Sequence, residues 1–136
     1  MKEAFKAARR AAVPIVAIET ADQQSLIREI AKCNESVPVM QWNIINGLVP
    51  VNQLGAELVN AICAGDDPAM LTGNPVEMLN KIAKAPEKTI VFMNNAQRFL
   101  SEATVSQGIC NLRDVYKASG ATLVLLGPAF TLPTEL

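Results

Sequence analysis

The chain contains no histidine, and its three cysteines, Cys33, Cys63 and Cys110, stand far apart with no CxxC pair. Zinc sites draw on Cys and His at short spacings, and a Cys nucleophile needs a basic partner. The composition therefore argues against a zinc centre and a Cys–His enzyme, and no metal site is expected. Each thiol has an apolar helical context, so all three read as buried and reduced, in keeping with a cytoplasmic location. No stretch approaches the roughly 18 apolar residues of a membrane span. The opening Met1–Lys6 also lacks the apolar core of a secretory signal. A dominant charge is missing too: 12 basic and 13 acidic residues leave a net charge of −1. Nucleic acid requires a basic patch, and the one cluster, Lys2, Lys6, Arg9 and Arg10, reads as the solvated face of a helix. Neither nucleic acid nor a membrane is expected as a partner.

What is present is apolar bulk in a regular order. The 136 residues are 50% hydrophobic, enough for one core and one domain over 1–136. Residues 2–12 read as a helix with Phe5, Ala8 and Ala12 on one stripe. Pro14–Glu19 is a first strand, apolar enough to be buried on both faces. Thr20-Ala21-Asp22-Gln23 fits a capping box ahead of a helix whose inner face is Leu26, Ile27, Ile30 and Ala31. Pro38–Ile44 is a second strand closed by Asn46-Gly47, a pair that tolerates positive φ. The polar–apolar alternation of Gln41, Trp42 and Asn43 suggests an edge position, with Trp42 packed under a helix.

Leu54, Leu58, Val59 and Ile62 mark a helix over 52–64, broken by Gly65-Asp66-Asp67-Pro68. Asn74 caps the next helix with Pro75 at its first position. The third strand covers 89–94. A helix over about 104–118 ends at Ser119-Gly120, and Ala121–Leu126 is the fourth strand, stopped by Gly127-Pro128. Alternating strands and helices with two-sided apolar strands predict an α/β fold, a parallel sheet between helices. Ligands of such sheets bind beyond the carboxyl ends of the strands. The informative tips are therefore Glu19-Thr20, Ile45-Asn46, Asn94-Asn95 and Gly127-Pro128.

Those tips are poor in chemistry. A phosphate-binding loop needs glycines and a lysine between the first strand and its helix. Glu19–Gln23 holds neither, and its two acids repel phosphate. The third strand, Thr89–Met93, ends in Asn94-Asn95-Ala96-Gln97, where a nucleotide hydrolase carries acids for Mg²⁺ and water. Neutral amides supply neither the charge nor the base. Their bland role is to satisfy strand-end backbone groups and start a turn. Glu19 is a carboxylate without an identifiable acid–base partner, and capping or pairing with Arg98 is the ordinary use of such a group.

In order, these segments resemble the N-terminal domain of the AAA-type ATPases of chloroplast genomes and cyanobacteria, with relatives in other bacteria and phages. Ile15–Asp22 (IVAIETAD) matches the family's opening strand, Glu-Thr and acidic helix start. Trp42–Leu48 (WNIINGL) matches its Trp and polar Asp-Gly-Leu turn, with Asn46 in place of Asp. Asp67-Pro68, Phe99-Leu100 within Asn95–Leu100 (NAQRFL), Gly127-Pro128 and Leu132–Leu136 (LPTEL) follow in the family's succession. Asn95 and Gln97 replace an acid and an imidazole.

The resemblance implies a three-layer α/β/α domain with a four-stranded parallel sheet in the order 1-4-3-2. Its core is that of a P-loop nucleotide hydrolase without the phosphate loop. The implied vestigial positions are Glu19, Thr20, Asn46, Asn94, Asn95 and Gln97, with no catalytic residue and no cofactor of the segment's own. ATP and Mg²⁺ belong to the parent protein. The implied function is a catalytically inactive assembly or regulatory domain. Its expected partners are a second copy or a catalytic AAA module, with residues 1–12 as a contact. An uncovered edge at the first strand, where the family's next strand would lie, points the same way.

Two alternatives stand beside this reading. In one, the segment belongs to an active ATPase whose nucleotide site lies in another domain or chain, with Arg98 or Arg113 stabilising charge in trans. In the other, Ser106–Pro128 resembles the last helix and strand of anti-sigma-antagonist modules, with Ser101 or Ser106 as phosphoacceptor.

Overall fold

The computed structural model describes residues 2–63 and 66–132. Five strands, β1 (Ile15–Glu19), β2 (Val39–Asn43), β3 (Gly47–Pro50), β4 (Ile90–Met93) and β5 (Thr122–Gly127), form one sheet in the order β1-β5-β4-β2-β3. The helices are α1 (Lys2–Arg10), α2 (Gln23–Lys32), α3 (Gln53–Cys63), α4 (Pro75–Ile82) and α5 (Ala103–Ser119). Short 3₁₀ turns occupy Pro68–Leu71 and Ala96–Arg98.

The fold is α/β, but the expected four-stranded, wholly parallel sheet is corrected. The four parallel strands are joined by β3, which runs antiparallel to β2 in a register pairing Asn43 with Gly47 and Met40 with Pro50. Asn46-Gly47 does more than close a strand: Gly47 adopts φ 73°, and the chain turns straight back into a hairpin. As a result β2 lies between β4 and β3, and Trp42 is not on an edge strand. Pro50 lacks an N–H, and it sits at the end of the outermost strand, where that loss is tolerated.

Alternation along the strands feeds two cores. Met40, Trp42, Val91, Met93, Leu123 and Leu125 face α3, α4 and α5. Val39, Ile90, Phe92, Val124 and Leu126 face the other way, with Phe5 of α1 and Leu26, Ile27 and Ile30 of α2. β4 and β5 are buried at every position. β1 differs from its expected two-sided burial, since Ile15 and Val16 are half-buried and Ala17 is exposed. Of the thiols, only Cys63 is buried; Cys33 is exposed and Cys110 half-buried. No helix of the described residues is long and apolar enough to cross a membrane.

α1 is tied to the amino end of the sheet by one side chain of the basic cluster. Arg9 Nη1 donates to Gly120 O (3.0 Å) and Thr122 Oγ1 (2.9 Å), and Nη2 donates to Lys88 O (2.6 Å). Arg9 is thus a clamp rather than part of a solvated face. Burial pulls its guanidinium below the ordinary value. Gly120, at φ 77°, is the C-cap of α5 as its spacing predicts.

Two glycines separate backbone from side-chain crowding. A Cβ at Gly55 of α3 would overlap the main-chain carbonyl of Val39, whereas at Gly108 of α5 it would meet the flexible Leu79 Cδ1 at 3.0 Å. Gly55→Ala is expected to lower stability by about 3 kcal/mol. Gly108→Ala should stay within about 1 kcal/mol of the parent, because the helix gain of alanine offsets the contact. Urea unfolding of the two variants checks the contrast.

Tyr116, the single tyrosine, donates its hydroxyl to Ile82 O at 2.7 Å, and burial pushes its phenol well above the ordinary 10.0. The unfolded chain ionises near that ordinary value while the fold holds the proton, so this stability is intact below pH 10 and declines above it. The phenolate absorbance of Tyr116 should therefore appear together with loss of secondary structure in an alkaline titration.

Candidate functional site

The carboxyl ends of β1, β2, β4 and β5, together with the start of α2, form the face where a ligand of this fold class would sit. The link from β1 to α2 is only Thr20-Ala21-Asp22. Thr20 is still held by the sheet, its N–H donating to Gly127 O at 2.8 Å, and the helix starts later than the expected cap. The cap is Asp22, whose Oδ1 accepts from Ser25 N at 3.0 Å, while Thr20 Oγ1 accepts from Asp22 N. A carboxylate therefore occupies the helix end where a phosphate loop would present free N–H groups.

Asn94 and Asn95 are built into a network of amides. Asn94 is 5% exposed; its backbone N–H donates to Trp42 O at 3.0 Å. Its Nδ2 donates to Gln41 Oε1 (2.9 Å) and again to Trp42 O (3.2 Å). Both partners are acceptors, which fixes the amide's orientation with nitrogen toward β2. Gln24 of α2 donates to the same Gln41 oxygen at 3.0 Å. Asn95, at φ 52°, is one of the few non-glycine residues with left-handed backbone. It is locked from both sides by Gln23: Gln23 Nε2 donates to Asn95 Oδ1 (2.8 Å), and Asn95 N donates to Gln23 Oε1 (3.0 Å).

The other expected positions lie apart from this network. Glu19 is exposed and accepts from Phe130 N at 3.2 Å, with no ion pair to Arg98 among the described residues. Asn46 is an exposed residue of the β2–β3 turn, where Ile45 N and Asn46 N donate to Asn43 Oδ1. Gln97 packs its side-chain oxygen over Gly127, on the opposite face of the sheet from α2, and that oxygen has no hydrogen-bond partner. Ser106 is buried and donates to Leu100 O at 2.9 Å, which corrects its reading as an accessible phosphoacceptor. Ser101 is exposed. The final motif, Leu132–Leu136, lies outside the described residues beyond Leu132, as does Gly65 of the helix-breaking segment.

Sequence reasoning missed Asp22, Gln23, Gln24 and Gln41, which complete the constellation. A cavity of about 460 Å³ opens beside it, between the start of α2, the β2–β3 turn and the tip of β4. Among the described residues no group of three or more His, Cys, Asp or Glu side chains is placed to hold a metal ion. The arrangement binds amide to amide and orders the tips.

An acid in place of Asn94 cannot satisfy this geometry. Its carboxylate would be buried facing Gln41 Oε1 and Trp42 O, two acceptors, and would be driven to keep its proton. The folded-state value would rise above the ordinary value near 4. Asn94→Asp is thus expected to cost about 3 kcal/mol at neutral pH. The penalty relative to the parent should shrink toward pH 4 and grow as pH rises. Urea midpoints of the pair at the two pH values measure it.

Comparison with known proteins agrees with the family resemblance. The chain is 23% identical over 134 residues to the AAA domain-containing protein ycf46 of Trieres chinensis, covering 93% of this chain and 24% of that protein. It thus spans about a quarter of that relative's length. No solved structure matches. The family described as SpoVK-like AAA ATPase, N-terminal domain, matches residues 1–136, and the chain belongs to that family.

Proposed function

We propose that this domain is a non-hydrolytic unit that assembles or regulates an AAA ATPase, and that ATP and Mg²⁺ act elsewhere in the parent protein. The observation that carries this reading is the Asn94 network. The position from which a strand would deliver an acid to Mg²⁺ instead holds an amide whose donors bind the neighbouring strand. The Asp22 carboxylate closes the adjacent helix end to phosphate. The setting is cytoplasmic, and the nucleotide site lies in another domain or chain.

Among the described residues no strand pairs with the outer side of β1, which supports an assembly role. Pro14 O and Thr20 N bond to β5, so strand alternation turns the backbone groups of Ile15, Ala17 and Glu19 outward. Ala17 and Glu19 are exposed, and the strand itself carries none of the lysines or bulges that usually blunt an edge. A second copy or an extended segment of a catalytic module can add there. In an antiparallel pair of two β1 strands centred on Ala17, Glu19 lies opposite Ile15, so no like charges meet.

Calorimetry with ATP·Mg²⁺ and light scattering form the direct test. The expected result is no saturable binding up to millimolar nucleotide, together with a self-associated state that Ala17→Lys reduces. Nucleotide turnover by the purified chain, abolished by changing Glu19 or Asn95, would overturn the reading.

A further inference from the structure

α1 is an arm with two grips on the body of the domain. Among the side chains from Glu3 to Arg10 only Phe5 is buried, at 3% exposure, and it enters the core on the α2 side of the sheet. Arg9, four residues on and so on the same face, holds Lys88 O, Gly120 O and Thr122 Oγ1 at the approaches to β4 and β5. A helix of nine residues is too short to persist by itself in water, so α1 keeps its shape because these seats hold it. Both grips belong to the arm and both seats to the body. The arm of a second copy therefore fits the same seats equally well.

The link between arm and body is under strain. Ala11-Ala12-Val13-Pro14 joins α1 to β1, and its first three residues are exposed. It closes α1 in a Schellman turn: Val13 N donates to Ala8 O at 3.0 Å and Ala12 N to Arg9 O at 3.1 Å. That turn sets Ala12 at φ 56°, the position where glycine is the usual residue and a Cβ is crowded. Pro14 favours an extended Val13 before it. An extended link relieves Ala12 and suits Pro14, and the two bonds it gives up are replaced by water because they are exposed. Short, strained hinges of this kind favour exchange of an element between copies.

We propose that two copies of this chain exchange α1, Phe5 and Arg9 of each occupying the seats of the other. Four extended residues span about 13 Å, so the bodies meet through the amino ends of their sheets, where the link enters β1. Arg10 and Lys88 line a cavity there, and no acid among the described residues lines it. Two copies thus bring like charges together, and added salt promotes the exchange by screening them. This contact goes beyond the assembly reading, since it uses α1 and leaves the β1 edge open.

The whole chain carrying Ala17→Lys, which blocks pairing along β1, serves for the test. Isotope-labelled and unlabelled chains are unfolded in urea, refolded together at high concentration with salt, and separated by size. In the dimer fraction, isotope-filtered NMR should place the Phe5 ring of one chain against core methyl groups of the other. Adding salt during refolding should raise the dimer fraction. Ala12→Gly removes the strain without touching either seat and should weaken the dimer roughly tenfold. Phe5 contacts confined within one chain, or a dimer indifferent to Ala12→Gly, would overturn the proposal. A chain that stays monomeric after joint refolding would overturn it too. Association in the parent that Ala17→Lys abolishes would then leave the β1 reading standing alone.

Discussion

The indole of Trp42 is the interaction on which the carboxyl end of this sheet depends. It is fully buried, its Nε1 donates to Leu71 O at 3.0 Å, and its ring meets Phe99 edge-on at 5.4 Å. Those contacts tie the second strand to the turn before α4 and to the turn after β4. Its backbone carbonyl then receives both the main-chain and the side-chain N–H of Asn94. One residue thereby sets the spacing between two strand tips and positions Asn94. A smaller ring would leave both a cavity and an unpaired Leu71 carbonyl.

Much of the sheet was legible because burial writes itself into composition. Ile90–Met93 and Thr122–Gly127 are central strands covered on both faces, and their unbroken apolar runs say so. Asn74 with Pro75, and Ser119 with Gly120, are cap signals whose meaning is local, and both act as read. The errors arose where a local signal met a distant partner. Thr20 has the right spacing for a capping box, yet its N–H continues the pairing with Gly127 of the neighbouring strand, and the cap falls at Asp22. The brief Gly47–Pro50 strand carries too few residues to show a period of its own, and only pairing with β2 defines it. The amide network was illegible for the same reason, since its members are 17, 53 and 72 residues apart.

The asparagine at the tip of β4 is specified by its surroundings. Gln41, on the neighbouring strand, offers its oxygen to two donors, and only a side chain with an NH₂ group fits between that oxygen and the Trp42 carbonyl. Asn95 likewise needs a residue that tolerates left-handed backbone and can exchange two hydrogen bonds with Gln23. The tips are thus ordered around amides, with the polar groups of one serving the next. The only charge described in this constellation is the Asp22 carboxylate, which caps α2. Two side-chain oxygens of these tips, Asn94 Oδ1 and Gln97 Oε1, are buried without a partner, a desolvation cost that the surrounding hydrogen bonds must offset.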